Sequence, residues 1–133
     1  MYEMKPEFYT NIAMIDEEHQ QLFDYANEVY ELLNNEFLYD KYDHILDTLG
    51  KLRDYAKKHF SDEETYMESI GYKRLFTQKI QHKQFVDKLD EIDLQEIEEG
   101  DEQDKVINDI LVFITDWLVN HILEEDTRIG KYI

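Results

Sequence analysis

The stretch HFSDEETYME, residues 59–68, sets His59 and Glu63 four positions apart. It continues the apolar series Ile45, Leu49, Leu52, Ala56 and Phe60 and leads on to Met67 and Ile70. At 3.6 residues per turn these positions share one face, so two ionisable side chains are directed toward the core of a helix. A competing reading makes Ser61 an N-cap with Glu64 reaching back in a capping box. That would break the helix at residue 61, yet the apolar phase runs through 56, 60, 63 and 67 without a jump.

The same periodicity extends on both sides. A first helix carries Leu22, Phe23, Ala26, Val29, Tyr30 and Leu33, with a turn near residues 34–40. Gly71 is a plausible stop for the second helix, and Gly50 inside it costs ~1 kcal/mol against alanine and leaves room for a kink. The third carries Leu75, Phe85, Leu89 and Ile92 and is expected to end near residues 98–100. The fourth carries Val106, Ile107, Ile110, Leu111, Ile114, Trp117, Leu118, Ile122 and Ile129. Residues 1–11, with the only proline at Pro6, read as an extended arm. No strand alternation, internal repeat or low-complexity segment interrupts this pattern. The expected fold is all-α: one domain over 1–133, an antiparallel up-down-up-down bundle of four helices of 20 to 30 residues.

Composition narrows the function. The 133 residues are 42 % hydrophobic, enough for a real core, and carry a formal net charge of −18. So acidic a surface repels nucleic acid and anionic lipid, and neither is expected as a partner. There is no cysteine, which excludes disulfides, thiolate metal sites and thiol nucleophiles. No apolar run approaches the roughly 18 residues of a membrane span. The start MYEMKPEFYT lacks the features of a signal peptide, so a cytoplasmic location is expected.

Each helix repeats the anomaly of the second. His19 precedes Leu22, Phe23 and Ala26; Gln78 and His82 lie between Leu75 and Phe85; His121 follows Ile114, Trp117 and Leu118, with Asp126 five residues on. These positions are early in helices one and three and late in helices two and four. In an up-down-up-down bundle they meet at one end. A lone core histidine is usually a satisfied hydrogen-bonding group, but four on four helices at one level are not explained that way. Buried carboxylates need counter-charge, and no lysine or arginine lies on these stripes. Imidazoles with carboxylates suit iron, manganese or zinc. Two divalent ions, two carboxylates and a hydroxide would leave a net charge of +1. His44, beside Asp43, and Glu125 read as solvent-facing, the acidic run at 93–104 as a solvated helix end and loop, and Leu22, Phe23, Trp117 and Leu118 as plain core.

The segments IDEEHQQLF (15–23), HFSDEE (59–64), QHKQF (81–85) and WLVNHI (117–122) followed by Asp126 resemble hemerythrin and the bacterial hemerythrin-like proteins. The resemblance covers nearly the whole chain, in order. It implies a four-helix bundle around two non-haem iron ions with an oxo or hydroxo bridge, binding O₂ reversibly at one iron. On this resemblance His19 and His59 bind the iron that is open to O₂, His82 and His121 bind the other, and Glu63 and Asp126 bridge them. Leu22, Phe23, Trp117 and Leu118 would wall an apolar O₂ pocket that keeps out water and protons.

The chain departs from the family pattern at one position. Where the family usually has histidine-x-x-x-histidine on the third helix, this sequence has Gln78-x-x-x-His82. An amide oxygen is a harder, weaker donor for Fe(II) than imidazole. Gln78 is therefore expected either as a weak seventh ligand or beside an open position, and the pair should be asymmetric. The leading reading is an oxygen-binding protein for storage, delivery or sensing, more a carrier than an enzyme. Its rivals are a di-iron peroxidase, an NO or O₂ scavenger or redox sensor at the same site, and a helical interaction module without a cofactor.

Overall fold

The computed structural model describes residues 2–133, and among them no strand forms. A 3₁₀ turn at Pro6–Phe8 precedes α1 (Ala13–Leu33), α2 (Lys41–Ser69), α3 (Leu75–Asp90), the short α4 (Leu94–Glu99) and α5 (Gln103–His121). A π-helical turn, Ile122–Asp126, joins α5 to α6 (Thr127–Tyr132). Helix α1 packs against α2 and α5, and α2 packs against α3.

Local chemistry sets the element ends. Helix α2 runs unbroken through Gly50 and Ser61, so the capping box does not form. It stops at Gly71, whose φ of 64° is open to glycine. There Tyr72 N–H donates to Met67 O (2.9 Å) and Gly71 N–H to Glu68 O (3.2 Å), which is a Schellman ending. The third helix is shorter than expected. It ends at Asp90, because the Asp93 side chain accepts hydrogen bonds from Gln95 N–H (3.0 Å) and Glu96 N–H (3.2 Å) and starts α4. With 16 residues α3 falls short of the expected 20 to 30, whereas α1, α2 and the continuous run Gln103–Tyr132 of 30 residues keep to it.

The segment expected as an extended arm is anchored to the bundle at Phe8 and Thr10, and Met1 lies outside the described residues. Phe8 is buried, its ring stacked on Phe23 at 5.9 Å between centroids and set against Ile122. Asp16 in the first turn of α1 accepts from Thr10 N–H (2.8 Å), Thr10 Oγ1–H (2.8 Å) and Asn11 N–H (3.0 Å). Gly130 lies so close that a Cβ there would sit 2.0 Å from Thr10 O.

The core is layered. The larger apolar cluster includes Leu22, Ala26, Leu52, Ala56, Phe60, Phe85, Leu111 and Leu118. A smaller one holds Ile12, Ile15, Met67, Tyr72 and Ile129. Along α1, α2 and the α5–α6 run, the inward polar residues fall between these two clusters. His19 lies between Ile15 and Leu22, Glu63 between Phe60 and Met67, and Asp126 between Leu118 and Ile129.

One expectation about membranes needs correction. The continuous helical run Gln103–Tyr132 is long and apolar enough to cross a bilayer by length and composition alone. Ile107, Leu111, Ile114, Leu118, Ile122 and Ile129 of this run are buried, with His121 and Asp126, whereas Val106, Val112, Phe113 and Leu123 are exposed.

Candidate metal centre

His19, His59, Glu63, Gln78, His82, His121 and Asp126 are all buried, the most accessible at 5 %. Helices α1, α2 and α3 and the α5–π junction each supply at least one. The π turn explains the spacing of His121 and Asp126. Five residues apart, they would diverge on a regular α-helix, and the widened turn returns both to the interior.

The two carboxylates lie between two pairs of imidazoles. Glu63 Oε2 is 3.7 Å from His19 Nε2 and 3.5 Å from His59 Nε2, while Oε1 is 3.1 Å from His82 Nε2. Asp126 Oδ2 is 3.0 Å from His19 Nε2, and Oδ1 is 3.3 Å from His121 Nε2. Each carboxylate thus turns one oxygen to each pair. Two sets of potential ligands result: His19, His59, Glu63 and Asp126, and Glu63, His82, His121 and Asp126. Both contain the same two carboxylates.

Three of the four outward ring nitrogens are tied back, those of His59, His82 and His121. His59 Nδ1 is 2.8 Å from Glu18 Oε1, His82 Nδ1 is 2.8 Å from Glu64 Oε2, and His121 Nδ1 is 2.9 Å from Gln81 Oε1. An acceptor at Nδ1 favours the tautomer with its proton there and leaves the Nε2 lone pair facing inward. Stacking fixes two of the rings further: Phe60 lies on His82 at 4.1 Å and 14°, and Trp117 on His121 at 4.5 Å and 11°.

What the interior lacks is donors. Both oxygens of Glu63, both ring nitrogens of His19 and Oε1 of Gln78 are buried without a hydrogen-bond partner. Each such group costs about 1–3 kcal/mol if left alone. Lys58 and Arg74 reach only outer carboxylates, Glu18 at 3.0 Å and Glu125 at 2.8 Å. The Nε2 atoms of His82 and His121 are 3.1 Å apart. That suits two ligands at right angles on one ion, for which bonds of about 2.1 Å give a separation near 3 Å. Without metal, protons supply the balance. Burial pushes His19 and His82 down, but the neighbouring carboxylates outweigh it and hold both up to about 9. Burial raises Glu63 and Asp126, and the imidazoles around them more than reverse it, holding both low. The orphaned atoms, the converging lone pairs and the donor set fit cations.

The chain matches the family model of the hemerythrin HHE cation binding domain over residues 10–133. The chain belongs to the hemerythrin family. It is 48 % identical to a bacteriohemerythrin of Clostridium acetobutylicum, with 95 % of this chain and 96 % of that protein covered. A bacteriohemerythrin of Methylococcus capsulatus is 33 % identical over 93 % of this chain and 89 % of its own. A hemerythrin of Phascolopsis gouldii is 31 % identical over 96 % and 89 %. Hemerythrins bind two non-haem iron ions, and the buried cluster can hold such metal.

All six residues expected as ligands come together. Gln78 joins them through a hydrogen bond from Nε2 to Asp126 Oδ1 (2.9 Å). Leu22, Phe23 and Leu118 are buried near this layer, and Trp117 is half-buried. His44 is on the surface, paired with Asp40 at 3.3 Å. Glu125 corrects an expectation. It is buried, not solvent-facing, and accepts three hydrogen bonds of 2.8 to 3.0 Å from Arg74. Sequence reasoning also missed Glu18, Glu64 and Gln81. The available signal was that a metal-facing imidazole needs an acceptor at its other nitrogen.

Proposed function

We propose that this chain is a di-iron protein that binds O₂ reversibly, for storage, delivery or sensing, in a single domain built as an antiparallel four-helix bundle. The observation that carries this reading is that the two potential ligand sets share Glu63 and Asp126. His19 and His59 would hold one iron and His82 and His121 the other, with Glu63 and Asp126 available to both. The iron pair supplies the redox chemistry that captures O₂. The protein's part is to orient the imidazoles from outside and to surround the site with apolar side chains. Leu22, Phe23, Leu118 and the Trp117 ring stacked on His121 serve as that wall. The charge of −18 argues against nucleic-acid and anionic-membrane partners, and cell fractionation checks the proposed cytoplasmic location.

The deciding experiment is metal analysis with absorption spectra before and after reduction. Air-exposed protein should carry two irons per chain, with oxo-di-iron bands in the near ultraviolet and a further band in the visible on O₂ binding. A colourless protein with under one metal per chain would refute the reading.

Gln78 supports a second reading at the same site, peroxide turnover or NO and O₂ scavenging. An amide that hydrogen-bonds Asp126 leaves the His82–His121 iron with one imidazole fewer than the family pattern provides. Catalytic peroxide consumption that disappears in Glu63→Ala would favour it over simple binding.

A further inference from the structure

Residues 74, 78 and 81 follow the i, i+4, i+7 rule and form one polar stripe at the start of α3. Each of the three reaches the same short segment, His121–Asp126. Arg74 donates to Glu125 from Nε (3.0 Å) and from Nη2 to both carboxylate oxygens (2.8 Å each). Gln78 Nε2 donates to Asp126 Oδ1 (2.9 Å). Gln81 spans two partners: its Oε1 accepts from His121 Nδ1 (2.9 Å) and its Nε2 donates to Glu125 Oε2 (3.3 Å).

This segment includes the π turn, which leaves the regular helical ladder between His121 and Asp126. A widened turn is held less firmly by its own backbone, so its two inward side chains depend on outside anchors. The other imidazoles are fixed differently. His59 and His82 face carboxylates, Glu18 and Glu64, whereas His121 faces a neutral amide whose place is set by Glu125 and Arg74.

We propose that Arg74, Glu125 and Gln81 form a positioning relay that holds His121 from outside the bundle and sets how firmly the iron beside His82 and His121 is retained. This rests on the ligand assignment proposed above. Gln78 ties Asp126, which both ligand sets share, into the same seam. His59, in the other half, is anchored separately, through Glu18 and Lys58. Arg74 is 42 % exposed, so this anchor of a buried centre can be reached from the surface.

The test is timed removal of iron from the fully loaded, full-length protein by a chelator, with iron per chain and the near-ultraviolet bands followed together. Arg74→Met, Glu125→Gln and Gln81→Met should each release one of the two irons about 10- to 100-fold faster, the usual effect of losing an outer partner of a metal ligand. The other iron should leave at the wild-type rate. Arg74→Lys, which keeps the charge but not the fork of donors, should be intermediate. The melting temperature of each metal-free variant separates positioning from folding. If the irons leave at wild-type rates, or leave together in step with a lower metal-free melting temperature, the relay is wrong. Glu125→Gln keeps shape and volume and serves should the other variants fail to fold. If wild-type protein takes up no iron pair, the ligand assignment falls and the relay with it. If wild-type protein is loaded and the variants behave like it, only the relay falls.

Discussion

Gln78 donates a hydrogen bond from its side-chain amide to Asp126 Oδ1, 2.9 Å away, with both groups buried. The amide stands on the α3 stripe where the family pattern has an imidazole, and its Oε1 has no hydrogen-bond partner. On the proposed ligand assignment it would withdraw lone-pair density from a carboxylate shared by both irons and leave the second iron one imidazole poorer.

Gln78→His should reverse this. The new imidazole replaces a hydrogen-bond donor by a nitrogen ligand, so iron retention against a chelator should rise and autoxidation in air should slow. Equal iron loss and equal autoxidation in the two proteins would show that position 78 does not serve the metals.

Removing Glu63 should cost both irons, because both ligand sets contain it. Glu63→Ala is expected to fall below one iron per chain, whereas His121→Ala, which touches one set only, should keep close to one. Loaded protein should also be the more stable: metal at a thousand times its Kd contributes about 4 kcal/mol. Chelation should then lower the melting temperature by roughly 10 °C or more, read by calorimetry.

The metal-free protein should lose stability as pH rises from about 6.5 to about 9. Burial lowers His19 and His82, the carboxylates outweigh it, and both groups sit near 9 in the folded state, above their ordinary 6.5. A folded-state value above the unfolded one stabilises fully below 6.5, and the contribution disappears as pH passes 9. Iron competes for the same nitrogens, so its uptake at pH 7.5 should release about two protons and its affinity should rise toward pH 9. Thermal melts across this range and proton release on loading check both signs. A flat profile with no proton release would contradict the assignment.

Gly130→Ala should destabilise by roughly 1–3 kcal/mol through overpacking. A methyl group there would meet Thr10 O at 2.0 Å, and Thr10 is held by Asp16. The N-terminal segment that covers Phe23 and Ile122 must then shift. Urea denaturation measures the loss, and unchanged stability would mean that residues 9–11 adjust freely.

Most of the centre was legible because each ligand continues an apolar stripe. His59 and Glu63 extend the series of α2, and His19 sits between Ile15 and Leu22, so burial followed from helical period alone. The end of α3 was not legible. Asp93 diverts the backbone donors of residues 95 and 96, and one capping side chain outweighs a weak apolar pattern. Glu125 was misread because it neighbours Asp126 on what a regular helix would make a different face, and Arg74, which neutralises it, is 51 residues away in the chain.

The all-helical class, the buried faces and the convergence of His19, His59, Glu63, His82, His121 and Asp126 were determined by the sequence itself, because they depend on side-chain periodicity and on the order of elements along the chain. Tertiary structure alone decided the π turn at Ile122–Asp126, the direction of the Gln78 amide and the anchors at Glu18, Glu64, Gln81 and Glu125. Those depend on which side chains meet across helices, to within an ångström. Periodicity assigns a residue to a face, but not the partner it finds there.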